Sequence, residues 1–191
     1  ANTITIEQLD IEQEVATQLA IAIENTRLFE TEMQRNSELT ALHQASLQLT
    51  RSIDTTNILD LIVDYALLLT NAEDSHLFLY DGENLAFGAA IWGDDKQTVP
   101  IQSPRKNGLT YTVARTGEKI IVPDTKHHSL YKAHPWEGAI IGIPLKANEK
   151  IYGVLSVAFN SPHHFTENEI RILELLADQA TVALENSQLY K

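Results

Sequence analysis

One stretch of this chain is written twice, and the distance between the copies limits what the rest can be. Gln18-Leu-Ala-Ile-Ala-Ile-Glu-Asn-Thr-Arg-Leu-Phe29 near the start returns as Gln179-Ala-Thr-Val-Ala-Leu-Glu-Asn-Ser-Gln-Leu-Tyr190 at the finish. Thr5, Ile11, Ala16, Gln18, Ala22, Glu24, Asn25 and Leu28 recur as Thr166, Ile172, Ala177, Gln179, Ala183, Glu185, Asn186 and Leu189, a constant offset of 185 − 24 = 161 residues. Each copy opens on a capping-box pair, Thr5 with Gln8 and Thr166 with Glu169, which satisfies the orphan amides of a helix start. An offset of one domain length predicts a tandem array, in which residues 1–35 are the last helix and linker of one module and residues 36–191 form the next.

Residues 5–51 contain no Gly or Pro and predict one very long helix or two end to end. Val15, Leu19, Ala22, Thr26, Phe29 and Met33 follow a heptad seam; Leu39, Leu42, Ser46, Leu49 and Ile53 resume it one residue short, so a phase slip is expected at Asn36-Ser37. Asp54-Thr55-Thr56 caps a second helix to Asn71, with Ile58, Leu59, Ile62, Val63, Ala66 and Leu69 on its buried face. The period then shortens to two. Residues 75–80 and 84–91 around Asp81-Gly82 read as a hairpin. A loop over 92–106 with a short strand at Val99–Gln102, a helix over 108–116, a strand over 119–122 and a second hairpin of 139–146 with 151–159 follow. The fold class is therefore α/β (α+β). A mainly antiparallel sheet of five to six strands carries the long terminal helices on one face, and loops and a short helix roof a pocket on the other.

The formal net charge is -12, and no cluster of Lys and Arg offers phosphate neutralisation, so neither nucleic acid nor direct membrane contact is expected. With no apolar run near the roughly 20 residues of a membrane span, and no signal-like start, the expected location is cytoplasmic. The sequence has no cysteine, which removes thiolate nucleophiles, thiolate metal sites and thioether-linked chromophores together. Ser103, Ser129 and Ser161 lack a nucleophile-elbow context and no phosphate-cradling loop occurs, so no enzyme is expected. Asp124, His127, His128 and His134 offer a metal set only if several loops bring them together; the other reading is that they are loop-surface histidines, and no metal site is assigned.

Gly108-Leu109, Val113-Ala114, Thr116-Gly117, Val122, Asp124, Ile143-Pro144-Leu145, Gly153-Val154-Leu155, Phe165-Thr166 and the Glu185-Asn186-Ser187-Gln188-Leu189-Tyr190 ending, in that order, resemble the GAF family of regulatory domains over residues 37–191. The sequence departs from that pattern at Tyr111, where many members have Gly, and at Gly138-Ala139, where they have Arg-Ser; the cyclic-nucleotide constellation is not found, which disfavours cyclic GMP or AMP. The resemblance implies a non-catalytic sensory module of a multidomain signalling protein, such as a histidine kinase, with an upstream GAF-like module and a downstream output domain. The apolar stripes of the long helix and the closing helix predict a parallel homodimer through these terminal helices. The alternatives are a ligand-free dimerisation spacer and a noncovalent haem or bilin sensor; no cofactor is assigned, and covalent bilin is excluded. The methionine sulfoxide reduction known in the family runs through cysteines. Phe78, Trp92, Tyr111, Asp124, His128, Tyr131, His134 and Trp136 are the candidate ligand-binding residues, interleaved with Arg105 and Lys106.

Overall fold

The structure, a computed structural model, describes residues 16–28, 31, 33, 55–93, 95–100, 102–132 and 134–189. The chain divides into two compact units, residues 1–40 and 41–191. The expected phase slip at Asn36-Ser37, the first copy's cap at Thr5 and Gln8, and the cap at Asp54 lie outside the described residues.

In the first unit, residues 16–28 are helical (α1) and exposed throughout. Residues 16–28 and their counterparts 177–189 are thus both helical, yet the environments differ. Leu19 and Ile23 are 58% and 67% exposed, while their counterparts 161 residues on, Ala180 and Leu184, are buried.

The second unit is a six-stranded sheet with helices on its faces. Helix α2 (Thr55–Thr70) leads into strand β1 (Asp74–Tyr80), β2 (Leu85–Trp92) and β3 (Asp95–Gln97). Helix α3 (Leu109–Thr116), β4 (Ile120–Val122), two 3-10 turns (Thr125–His127 and Ser129–Tyr131), β5 (Ala139–Ala147), β6 (Lys150–Phe159) and α4 (Glu167–Leu189) follow. The strand order is β3-β2-β1-β6-β5-β4, and every neighbouring pair is antiparallel. The chain's local chemistry explains most of these elements. Asp81 Oδ1 accepts the amides of Glu83 and Asn84 at 2.8 and 2.6 Å and closes the β1–β2 turn. Asn148, at φ 53, turns β5 into β6. Thr166 and Glu169 complete their capping box, the Thr166 amide donating to the carboxylate at 2.7 Å and the Glu169 amide to the hydroxyl at 3.2 Å.

The short strand expected at Val99–Gln102 lies instead at Asp95–Gln97. Gly93 takes φ +60, so the chain reverses at once and places Asp95 opposite Trp92, and Pro100 cannot donate to a ladder. Pro144 lies in β5 past the end of the β4 ladder, which stops at Gly142, and one residue before a register shift. A side chain at Gly153 would collide with the Phe78 carbonyl oxygen of β1, so close strand approach is what this glycine permits.

Alternation along the strands builds two apolar layers. Leu77, Ile141, Leu155 and Val157 face Ile58, Ile62, Leu173, Leu176 and Leu184 of α2 and α4 in the main core. On the opposite face Ile140, Val154 and Ala158 meet Leu109, Val113 and Ala114 of α3, with Tyr131 and Trp136 packed against them. Helix α4 is also tied to the sheet by a polar contact: the Tyr152 hydroxyl donates to Glu185 Oε1 at 2.7 Å, so the Glu of the duplicated motif holds β6.

Candidate functional site

The face of the sheet turned away from α2 and α4 is the floor of a cavity of about 340 Å³. Residues two apart on a strand share a face, which puts His76 and Phe78 of β1 beside Ala90 and Trp92 of β2, with Ala158 and Ile140 completing the floor. The first turn of α3, from Gly108 to Thr110, forms one wall. Two loop segments roof it: Pro100 and residues 102–105 from the β3–α3 connection, and Tyr131, His134 and Trp136 from the β4–β5 connection.

Five of the eight candidate residues, Phe78, Trp92, Tyr131, His134 and Trp136, come together around this cavity. Tyr111, Asp124 and His128 do not line it. Tyr111 is buried on α3, where its hydroxyl oxygen accepts the Leu85 amide at 3.4 Å and the Arg115 guanidinium lies 5.0 Å from its ring. Asp124 caps the first 3-10 turn, accepting the Lys126 amide at 3.0 Å; His127, at 2.6 Å, holds its carboxyl below the usual range. His128 Nδ1 accepts the Leu130 amide at 3.3 Å and caps the second turn. These last two shape the roof loop.

That loop is closed at its base by buried Thr125, whose amide donates to the Gly138 carbonyl at 2.9 Å while its hydroxyl accepts the Gly138 amide at 3.0 Å and donates to the Trp136 carbonyl at 3.1 Å. Side chains sew the two roof segments together. The Trp136 amide donates to His134 Nδ1 at 3.3 Å, so Nδ1 is the acceptor and the ring proton sits on Nε2, which donates to Gln102 Oε1 at 3.2 Å. Burial, helped by Arg105, lowers the His134 pKa and keeps this neutral tautomer. Arg105 Nη2 donates to the Leu130 carbonyl at 2.9 Å, and its guanidinium lies 5.5 Å from the Tyr131 ring centroid. Burial pushes the Tyr131 hydroxyl up to about 12.

His76, which is not among the eight candidate residues, is central to the floor. Its ring stacks on Trp92 at 5.9 Å between centroids, and Nδ1 is buried with no hydrogen-bond partner among the described residues. Burial pushes its pKa down to about 4, so the imidazole is neutral at physiological pH. Ser156, opposite His76 on β6, has a buried hydroxyl that likewise finds no partner among the described residues. Phe87, Gln102, Leu109 and Thr110 were also missed as lining residues. The usable signal was alternation, since Asp74, His76 and Phe78 must share one face. Asp74 itself is buried; its Oδ1 accepts the Gly93 amide at 2.8 Å, its Oδ2 has no partner among the described residues, and burial raises its pKa. Among the described residues no group of three or more His, Cys, Asp and Glu is placed to hold a metal ion, and no helix is long and apolar enough to cross a membrane.

A family model described as "GAF domain" matches residues 52–185. No curated protein matches the sequence. Among solved structures, the GAF domain of an Acinetobacter phosphoenolpyruvate-protein phosphotransferase is similar with a TM-score of 0.70 at 20% identity, over 82% of this chain and 97% of that one. The free methionine-R-sulfoxide reductase of Neisseria meningitidis, solved with its substrate, gives 0.68 at 16% identity over 81% and 92%. A methyl-accepting chemotaxis protein gives 0.63 at 20% identity over 77% and 98%. At these identities the likeness is one of fold.

Proposed function

Because the chain belongs to the GAF domain family, a sensory and regulatory fold, we propose that it is a non-catalytic small-molecule-sensing module of a multidomain signal-transduction protein such as a sensor histidine kinase. The observation that carries this reading is the roofed cavity of about 340 Å³, walled by the rings of Phe78, Phe87, Trp92, Tyr131 and Trp136, with an imidazole nitrogen in its floor that has no partner among the described residues. Apolar walls with a few convergent polar groups suit one small organic molecule. The reductase fold neighbour lends no activity here, since the sequence has no cysteine thiol. An effector that orders the Gln102–His134 seam bears on Trp92, β1 and β6, and β6 reaches α4 through Tyr152 and Glu185.

A thermal-shift screen of metabolites tests this. A ligand present at 100 times its dissociation constant stabilises by about 2.7 kcal/mol, which is about 5–11 °C at roughly 2–4 °C per kcal/mol. Trp136→Ala should abolish the shift. A broad screen in which no compound of any class raises the melting temperature overturns the sensor reading.

A specific observation also favours a second role, a dimerisation spacer. Leu175 and Val182, seven residues apart on α4, are 39% and 46% exposed, and Leu68 of α2 is exposed as well. We expect these helices to join two copies of the chain, and sedimentation equilibrium at micromolar concentration should return the dimer mass; a monomer removes this expectation. If spacing is the whole function, Trp136→Ala leaves output unchanged while deletion of a residue near Asn36 alters it.

A further inference from the structure

The cavity's charge is the reverse of the chain's. The sequence carries 26 Asp and Glu against 14 Lys and Arg, yet among the described lining residues there is no carboxylate, and Arg105 is the one formally charged side chain. Arg105 spends one N–H on the Leu130 carbonyl and leaves the rest of its fork at the cavity mouth. Beside it, α3 starts at Gly108 without a side-chain cap, and its first-turn residues Leu109 and Thr110 face the same cavity. Uncapped first-turn amides and the positive end of the helix favour an anion.

The floor supplies an independent observation. His76 Nδ1 is buried and has no hydrogen-bond partner among the described residues, on a floor made otherwise of rings and aliphatic groups. A buried polar atom without a partner is costly, so the fold keeps one hydrogen-bonding group in reserve on the cavity floor. The stacked rings of Trp92 and His76 and the rings of Tyr131 and Trp136 line the same cavity.

From these features we infer that the ligand is a small flat aromatic monoacid. Its carboxylate lies between Arg105 and the first turn of α3, its ring lies against Trp92, and a ring N–H or hydroxyl at its inner end meets His76 Nδ1. A cation is opposed by Arg105 and the helix end. A second negative charge would lie over a neutral imidazole and apolar rings with no counter-charge, which disfavours polyphosphates. A saturated ring would forgo stacking on Trp92.

This inference rests on the sensor reading, and four probes of matched size separate the two: indole-3-acetate, its neutral amide, the cation tryptamine, and 1-naphthaleneacetate, which lacks the ring N–H. By isothermal titration, indole-3-acetate should bind at least tenfold more tightly than the amide or tryptamine and about fivefold more tightly than 1-naphthaleneacetate. Arg105→Gln, at an exposed position, should erase the preference for acid over amide. His76→Phe should erase the preference for indole over naphthalene and leave the preference for acid intact. If the amide or tryptamine binds as well as the acid, or if Arg105→Gln leaves the discrimination unchanged, the inference fails while the sensor reading stands. If none of the four binds but the metabolite screen finds a ligand of another class, the inference again fails alone. If neither probes nor screen yield any binder, both fail.

Discussion

Gly138→Ala should lower the melting temperature by about 6–12 °C and open the cavity roof. Gly138 joins the roof loop to β5, where a Cβ would run into the Phe159 carbonyl oxygen and approach Trp136 Cζ2 to 2.7 Å. The Phe159 oxygen belongs to the β5–β6 hairpin, where Phe159 pairs with Ala139 at the start of β5, and cannot retreat. Relief therefore has to come from Gly138, which strains both of its hydrogen bonds to Thr125, and from Trp136, which leaves the roof. Overpacking of this kind costs about 1–3 kcal/mol, and each weakened buried hydrogen bond about 1 kcal/mol. A total near 3 kcal/mol, at about 2–4 °C per kcal/mol for a domain of this size, gives the stated range. Differential scanning calorimetry decides it, and a variant melting within about 2 °C of wild type would show that the loop base is not packed as described. Thr125→Val, which removes the hydroxyl's two bonds without the collision, should fall between the two.

Acidification should cost the fold about 2–3 kcal/mol through His76 alone. In the unfolded chain the imidazole takes up a proton near pH 6.5, whereas burial holds it neutral in the fold until about 4. Between those values the unfolded state binds more protons, so this contribution is complete above about pH 6.5 and is lost as the pH falls toward 4. At 1.36 kcal/mol per pH unit, 2.5 units set a ceiling of about 3 kcal/mol, trimmed because the residue is only half-buried and one edge of its ring faces the cavity. Asp74 acts in the opposite direction. Burial raises its carboxyl, so its contribution is present below about pH 3.9 and is lost as the pH rises through its folded value. Urea denaturation at pH 7 and pH 4.5 separates them. The His76→Phe variant should lose less stability than wild type over this interval, and Asp74→Asn more. Equal losses in wild type and His76→Phe would mean that His76 is not held neutral.

Elements that announce themselves locally were legible in the sequence. The Asp81-Gly82 turn, the four-three apolar spacing of α2, the Thr166–Glu169 box and the two hairpins each rest on interactions among neighbours in the chain. The strand at Asp95–Gln97 was misplaced because one backbone angle at Gly93 decides it, and a Gly inside a polar stretch does not say which way the chain turns. The site was half legible. Trp92, Tyr131 and Trp136 stand out in the sequence as large rings, but no period tells which loop side chains point toward a cavity or that Asp124 and His128 cap turns. His76 shows the deeper limit. Its face follows from alternation, while its missing partner depends on β2, β6 and both roof loops arriving together.

The bond between Tyr152 and Glu185 has a geometric consequence for the closing helix. Helix α4 has 23 residues, which at about 1.5 Å per residue makes a rod about 34 Å long. Its buried residues from Ile172 to Leu184, with Glu185 pinned to β6, leave little slack between rod and sheet. Small changes of sheet twist are then magnified by leverage: a pivot of about 5° around the Phe165–Thr166 corner sweeps the far end of a rod of that length through about 3 Å. That displacement is comparable to half a helical turn.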